Sequence, residues 1–220
     1  MLEHASQDDT PASAGLVVDT SVGPLVAAMV ASVDMLVAAM AAWDTYTAAH
    51  QGNVADLAVR IGAQLGLDAD ALLGLRLGAT VHDIGKIASP LEVLNGSVPL
   101  TAAQFAQIRG HAAVGARIVG AGHWLWPLAE MVHQHHERLD GSGYPRALKG
   151  AQILYEARII AVADVYDAIR HDRPYQKSPG KDHALAVLTD GRGSSFDPDV
   201  VDALLGVLAA GFDLPTSPLR

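Results

Sequence analysis

Five stretches of this chain carry a helical apolar stripe in which a histidine or an aspartate stands where leucine would be expected. His50 begins the face of Val54, Leu57, Ala58, Ile61 and Leu65, and His82 continues that of Leu72, Leu75 and Ala79. His111 lies one turn past Ile108, on a face shared with Phe105, Gly115 and Ile118, while His135 follows Val132 and Leu128. Asp164 shares a face with Ala157, Ile160, Ala161 and Ala168. Burying one polar side chain without a partner costs about 1–3 kcal/mol on mutational scales, and an unpaired charge costs more. One such residue is ordinary, because a single hydrogen bond satisfies it. Several together point to a shared centre that compensates all of them at once.

The rest of the pattern is helical too. Gly66 ends the His50 helix, with Asp56 and Arg60 spaced as an outer ion pair, and a second helix is expected over Asp70–Asp83, stopped by Gly85. Thr101 and Gln104 form a capping box for a helix running through Ile118, and Pro127 opens another through His136. The run from Asp140 to Pro145 is too glycine-rich to be helical. A long helix is expected from about Ile153 to Ile169, a short one around Ala184–Leu188, and a last one capped by Asp197-Pro198. No segment shows sustained two-residue alternation, so the fold class is all-α. The domain reading is a polar lead or linker at 1–20, an apolar helix at 21–43, a main helical domain at 44–212 and a tail at 213–220.

The stretch from Val22 to Trp43 is nearly long enough to cross a bilayer. Asp34 at its centre would cost about 3 kcal/mol there, and no basic flank precedes it. It reads as a helix buried at a homodimer or domain contact, with no membrane span, and the protein as cytoplasmic. Lys plus Arg number 15 against 24 Asp plus Glu, a formal charge of -9, which argues against coating DNA through bulk electrostatics. The absence of cysteine excludes thiolate nucleophiles and sulfur-ligated metals. Ten histidines with carboxylates suit iron, manganese, zinc or nickel.

His82-Asp83 and His135-His136 are adjacent pairs. Neighbouring helical residues diverge by about 100°, so each pair suits gripping two neighbouring ions better than one. No Walker loop, no Gly-x-Ser-x-Gly elbow and no zinc-protease pair on one helical face competes for the chemistry.

The segment Val81-His82-Asp83-Ile84-Gly85-Lys86, with His50 before it and Asp164 after, resembles the HD superfamily of metal-dependent phosphohydrolases. The string His135-His136-Glu137-Arg138-Leu139-Asp140-Gly141-Ser142-Gly143-Tyr144-Pro145 is similar to the mark of its HD-GYP subfamily. Ala161-Val162-Ala163-Asp164, Asp167-Ala168, Asp172-Arg173-Pro174-Tyr175 and Phe196-Asp197-Pro198 extend the resemblance over about Asp44 to Leu208. It implies an HD-domain helical bundle and a phosphodiesterase that hydrolyses cyclic di-GMP to linear pGpG, and in some relatives on to GMP. It implies metal ligands at His50, His82, Asp83, His111, His135, His136 and Asp164, with Asp83 bridging two divalent ions, iron or manganese, and Lys86 meeting the scissile phosphate. Two such ions activate a hydroxide and neutralise the phosphate oxygens, and Lys86 and Arg173 add positive charge where the transition state gains negative charge.

Arg173 is implied as a ligand contact, and Lys177 stands near enough to substitute for the basic residue that Gln176 replaces. Tyr144 either packs inward in a tight turn or shapes the site rim. The Gly143-Tyr144-Pro145 loop is also a docking point for diguanylate cyclase (GGDEF) domains by resemblance. Tyr46 stands where some relatives carry a third-ion glutamate, hence the expectation of two ions. Two other readings stay open: an HD hydrolase for another cyclic dinucleotide, and a catalytically weak module that binds metal and partners. His4 lies in the lead, His123, His171 and His183 read as surface or loop residues, His133 is closer to the site but the resemblance assigns it no role, and Trp124 and Trp126 read as anchors of a helix junction.

Overall fold

The computed structural model describes residues 23–94, 101–171 and 177–214. Arg173 and Gln176 lie outside the described residues, as do the 1–20 lead and most of the tail. The described chain is all-helical, and its only strand-like feature is an isolated bridge between Arg192 and Phe196.

Helix α1 (Pro24–Trp43) is followed by α2 (Thr45–Gln64), whose N-cap Asp44 accepts from the Tyr46 N–H at 3.1 Å and the Thr47 hydroxyl at 2.6 Å. Gly66, at φ +82, ends α2 as expected. Helix α3 (Ala69–Thr80) leads into a 3-10 segment at Ile84–Ala88 and a one-turn α4 (Leu91–Leu94). The Thr101–Gln104 capping box is present, but the helix behind it breaks at Gly110 into α5 (Ala102–Arg109) and α6 (His111–Val119). Helices α7 (Leu128–Gln134), α8 (Tyr155–Arg170), α9 (Lys181–Asp190) and α10 (Pro198–Ala209) complete the chain. Asp197 caps α10 by accepting from the Asp199 N–H.

Helix α2 is the axis. It packs against α1, α3, α8 and α10, and it buries Val54, Leu57, Ala58 and Ile61 completely. Leu75 and Leu77 of α3, Ile159 and Ile160 of α8, and Leu204 of α10 close round it. Each such side chain contributes about 1.5–3 kcal/mol when fully buried. This bundle is the frame that carries the polar residues of α2 and α8 to its open end.

Three sequence expectations change. Helix α3 stops at Thr80 and α7 at Gln134, so His82-Asp83 and His135-His136 lie in the turns that follow these helices rather than within them. Three-residue hydrogen bonds tighten both ends: His82 N–H to Ala79 O at 3.5 Å, and Glu137 N–H to Gln134 O at 2.8 Å. The argument from helical divergence of adjacent residues therefore does not apply to them. Asp56 pairs not with Arg60 but with Arg76 across the helix junction at 3.1 Å, while Arg60 lies over the Phe212 ring. His171 is buried rather than on the surface. Trp124 and Trp126 do anchor a junction, donating to Val119 O and to Asp70 at 2.8 and 3.1 Å.

Helix α1 buries Met29, Val30, Val33 and Met40 and leaves Leu25, Met35 and Trp43 exposed on its outer face. It is long and apolar enough to cross a membrane by length and composition, and most of it is not covered by the rest of the chain.

Candidate metal centre

The turn after α3, the start of α6, the turn after α7, and the bodies of α2 and α8 meet at one point. They bring together all seven residues expected as metal ligands. Asp83 sits in the middle. Its Oδ2 faces His82 Nε2 at 3.5 Å and His50 Nε2 at 3.8 Å, while its Oδ1 faces His111 Nε2 at 3.1 Å and His135 Nε2 at 3.9 Å. Asp164 repeats the arrangement from α8, with His50 and His82 on Oδ1 at 3.0 and 3.9 Å and His136 Nδ1 on Oδ2 at 3.8 Å. Two sets of donor atoms result, His50-His82-Asp83 and Asp83-His111-His135-His136, each within the reach of one ion and sharing Asp83.

The histidines are oriented from behind. His82, His111 and His135 donate Nδ1–H to the carbonyls of Ala79, Ile108 and Val132 at 2.8, 2.6 and 2.7 Å. His50 donates its Nδ1–H to Asp167 at 2.6 Å. A neutral imidazole that donates at Nδ1 keeps its lone pair on Nε2. His111 Nε2 and His135 Nε2 stand 3.2 Å apart, and buried His82 Nε2 has no hydrogen-bond partner. Lone pairs converging at that distance repel unless a cation lies among them. The donor set, all imidazole and carboxylate, therefore fits divalent metal.

Protonation agrees with that reading. Burial, reinforced by the neighbouring histidines, holds His135 well below the usual imidazole range. Burial likewise lowers His136 to about 3, with His111 adding to it. Burial would raise Asp83, but Lys86 and His82 outweigh it and keep the carboxyl well below its ordinary value. Asp164 is also held well below that value, burial being outweighed by its contact with His50. Only His50 moves the other way: burial opposes its charging, yet Asp164 and Asp167 prevail and raise it to about 9. The ammonium of Lys86 bonds Asp83.

Four residues of the site had no role in the sequence reading. Asp167, one turn along α8 from Asp164, is buried between His50 and His171, the latter 2.8 Å from its Oδ1. Gln51, turned so that its carboxamide oxygen faces the turn, accepts from the Asp83 and Ile84 N–H groups at 3.3 Å. Glu137, buried, accepts from the Arg146 and Leu148 N–H groups at 2.7 and 3.0 Å and so shapes the loop between them. Arg109 lies over the Tyr144 ring. Only Asp167 carried a signal, its spacing from Asp164; the other roles depend on contacts distant in sequence.

The loop bearing Tyr144 is drawn tight against Glu137: a Cβ on Gly143 would lie 2.4 Å from Arg138 N and 2.5 Å from Glu137 Cα. Tyr144 consequently leans on His136, ring centroids 4.6 Å apart at 30°. This is the inward packing, and it also makes Tyr144 part of the rim. His123 and His183 are exposed, and His133 stands apart from the cluster beside Glu130 and Arg146. Lys177 lines a separate hollow with His171, Ser178 and His183.

The chain matches the HD domain family over residues 24–200. It is 40% identical over 164 residues, 74% of this chain and 43% of the relative, to the cyclic di-GMP phosphodiesterase response regulator RpfG of Xanthomonas campestris. It is 36% identical over 159 residues, 72% of this chain and 35% of the relative, to the 3'3'-cGAMP-specific phosphodiesterase 3 of Vibrio cholerae. It thus spans less than half the length of these curated relatives. Its fold is similar to the solved structure of an HDG"Y"P protein from Bdellovibrio bacteriovorus, with a TM-score of 0.61 and 23% identity over 73% of this chain and 51% of that one. With the family model matching over 24–200 and the histidine–aspartate centre assembled, the chain belongs to the HD domain family.

Proposed function

We propose that this chain is a metal-dependent phosphodiesterase that hydrolyses cyclic di-GMP to linear pGpG. The observation that carries it is Asp83 between two sets of donors, one on each carboxylate oxygen, with Lys86 alongside. The proposed ligands are His50, His82 and Asp83 for one ion and Asp83, His111, His135 and His136 for the other, with Asp164 completing the set. Two divalent ions, iron or manganese, would supply a water nucleophile near neutral pH and Lewis-acid neutralisation of the phosphate.

The chain's own residues do the rest. The carbonyls behind His82, His111 and His135, and Asp167 behind His50, fix each ring so that only its inner nitrogen faces the ligand space. Asp83 and Asp164 stay ionised across the working pH range. Lys86, alongside Asp83, would present its ammonium to the scissile phosphate, where charge develops. Arg173 is proposed as a second phosphate contact. By the same reading the outer face of α1 joins a second copy of the chain, and the Gly143-Tyr144-Pro145 loop meets cyclase domains.

The match to cGAMP-specific relatives favours one alternative, a phosphodiesterase for mixed cyclic dinucleotides. Anaerobically purified protein should contain two ions per chain by elemental analysis, and should convert cyclic di-GMP faster than 3'3'-cGAMP or cyclic di-AMP. Asp83→Ala should lose activity by orders of magnitude and His133→Ala should keep it. Stoichiometric metal with no turnover on any of the three would refute the reading. Preference for the mixed dinucleotide would select the alternative.

A further inference from the structure

The geometry points to Arg109 as a substrate-binding residue that holds the non-reacting phosphodiester of the cyclic dinucleotide at the rim of the metal centre. This rests on the phosphodiesterase reading above. Arg109 ends α5, two residues before His111 and one before the break at Gly110. The last turn of α5 thus does two things: its Ile108 carbonyl orients His111 at 2.6 Å, and its next residue sends a guanidinium over Tyr144, 4.3 Å from the ring centroid. Tyr144 in turn leans on His136. The arginine is therefore tied in position to two members of the donor cluster.

Its hydrogen-bonding capacity is unspent. The other cations near the opening are engaged: Lys86 with Asp83, Arg146 with Glu130 at 2.5 Å, and Arg138 with the carbonyl of Glu137 at 2.8 Å. Arg109 has no hydrogen bond or ion pair among the described residues and touches only the faces of Tyr144 and, at 5.9 Å, Phe105. Cation–π contacts brace a guanidinium while leaving its N–H edge free. That edge is a planar fork suited to two oxygens of one phosphate. In a chain of net charge -9, an uncommitted guanidinium braced at the mouth of an anion-hydrolysing centre has its complement in the ligand. A cyclic dinucleotide brings two phosphodiesters, of which the metals and Lys86 take one.

The test is steady-state kinetics of the metal-loaded full chain on cyclic di-GMP, with metal content and melting temperature checked for each variant. Arg109→Ala should raise KM about tenfold and leave kcat within about twofold, since the lost contact is to a phosphate that does not react. The rise of KM with salt should be shallower than in the wild type. Arg109→Lys should retain part of the affinity, and Arg109→Gln, which keeps a donor but no charge, should behave like the alanine variant. An unchanged KM, a fall in kcat instead, or a glutamine variant as good as wild type would each overturn the assignment. Should wild-type protein turn over no cyclic dinucleotide, the functional reading fails and this inference with it; turnover with an indifferent Arg109 sinks the inference alone.

Discussion

Removing the carboxylate of Glu137 should loosen the Tyr144 loop and cost measurable stability. Glu137 is 2% exposed, and each oxygen takes one backbone N–H, from Arg146 at 2.7 Å and from Leu148 at 3.0 Å. Hydrogen bonds to a charged group contribute about 1.5–3 kcal/mol each. Arg146 is exposed, so water can replace its lost partner, and the lower end of the range applies. Glu137→Ala should then cost about 3 kcal/mol. For a chain of this size, each kcal/mol moves the melting temperature by about 2–4 °C, giving a drop of roughly 6–12 °C. Glu137→Gln keeps one oxygen but turns an NH2 toward the second donor, so about half that drop is expected. Calorimetry of the three proteins at matched metal content reads this order directly. A midpoint within 2 °C of wild type for the alanine variant, or a glutamine variant as damaged as alanine, would refute the clamp.

Further outcomes follow from neighbouring contacts. A Cβ on Gly85 would lie 2.0 Å from the His111 carbonyl oxygen and 2.5 Å from Gly115 N, both backbone atoms that cannot swing aside. Gly85→Ala should therefore push α6 away, lower the melting temperature and reduce bound metal; wild-type metal content by elemental analysis would contradict this. His171→Ala removes the partner on the far oxygen of Asp167 and should weaken metal retention about tenfold in chelator competition, with unchanged affinity showing that Asp167 holds His50 unaided. Gln176→Arg should lower KM for cyclic di-GMP several-fold with little change in kcat, because a charge-assisted contact outweighs that of a neutral amide; an unaltered KM would mean either that Lys177 already fills the role or that position 176 does not face the ligand, and a double change of Gln176 and Lys177 would tell these apart.

The histidines of the cluster were legible because of how their rings are held. His82, His111 and His135 each follow the last turn of a helix, α3, α5 or α7, and each donates Nδ1–H to the carbonyl three residues back. Carbonyls in a last turn lack the full i+4 helical bonding, so each has acceptor capacity to spare that the histidine takes up and is aimed by. Residues three apart also share a helical face, which puts these histidines in the apolar stripe of Ala79, Ile108 and Val132. The stripe therefore revealed the residues of the cluster even though two of the helices end before reaching them. The helix ends themselves were hidden, because Thr80 and Gln134 continue the periodicity and only the turns packed against Gln51 and Glu137 stop it. Arg109 was hidden for a related reason: an arginine closing an exposed helix looks solvated until Tyr144, 35 positions on by their numbers, arrives beneath it. The metal centre is thus written in local spacing, since one imidazole and one carbonyl lie within a single turn. The substrate side is written in contacts between distant loops, and so it is the side where experiments on Arg109 and Tyr144 carry the most weight.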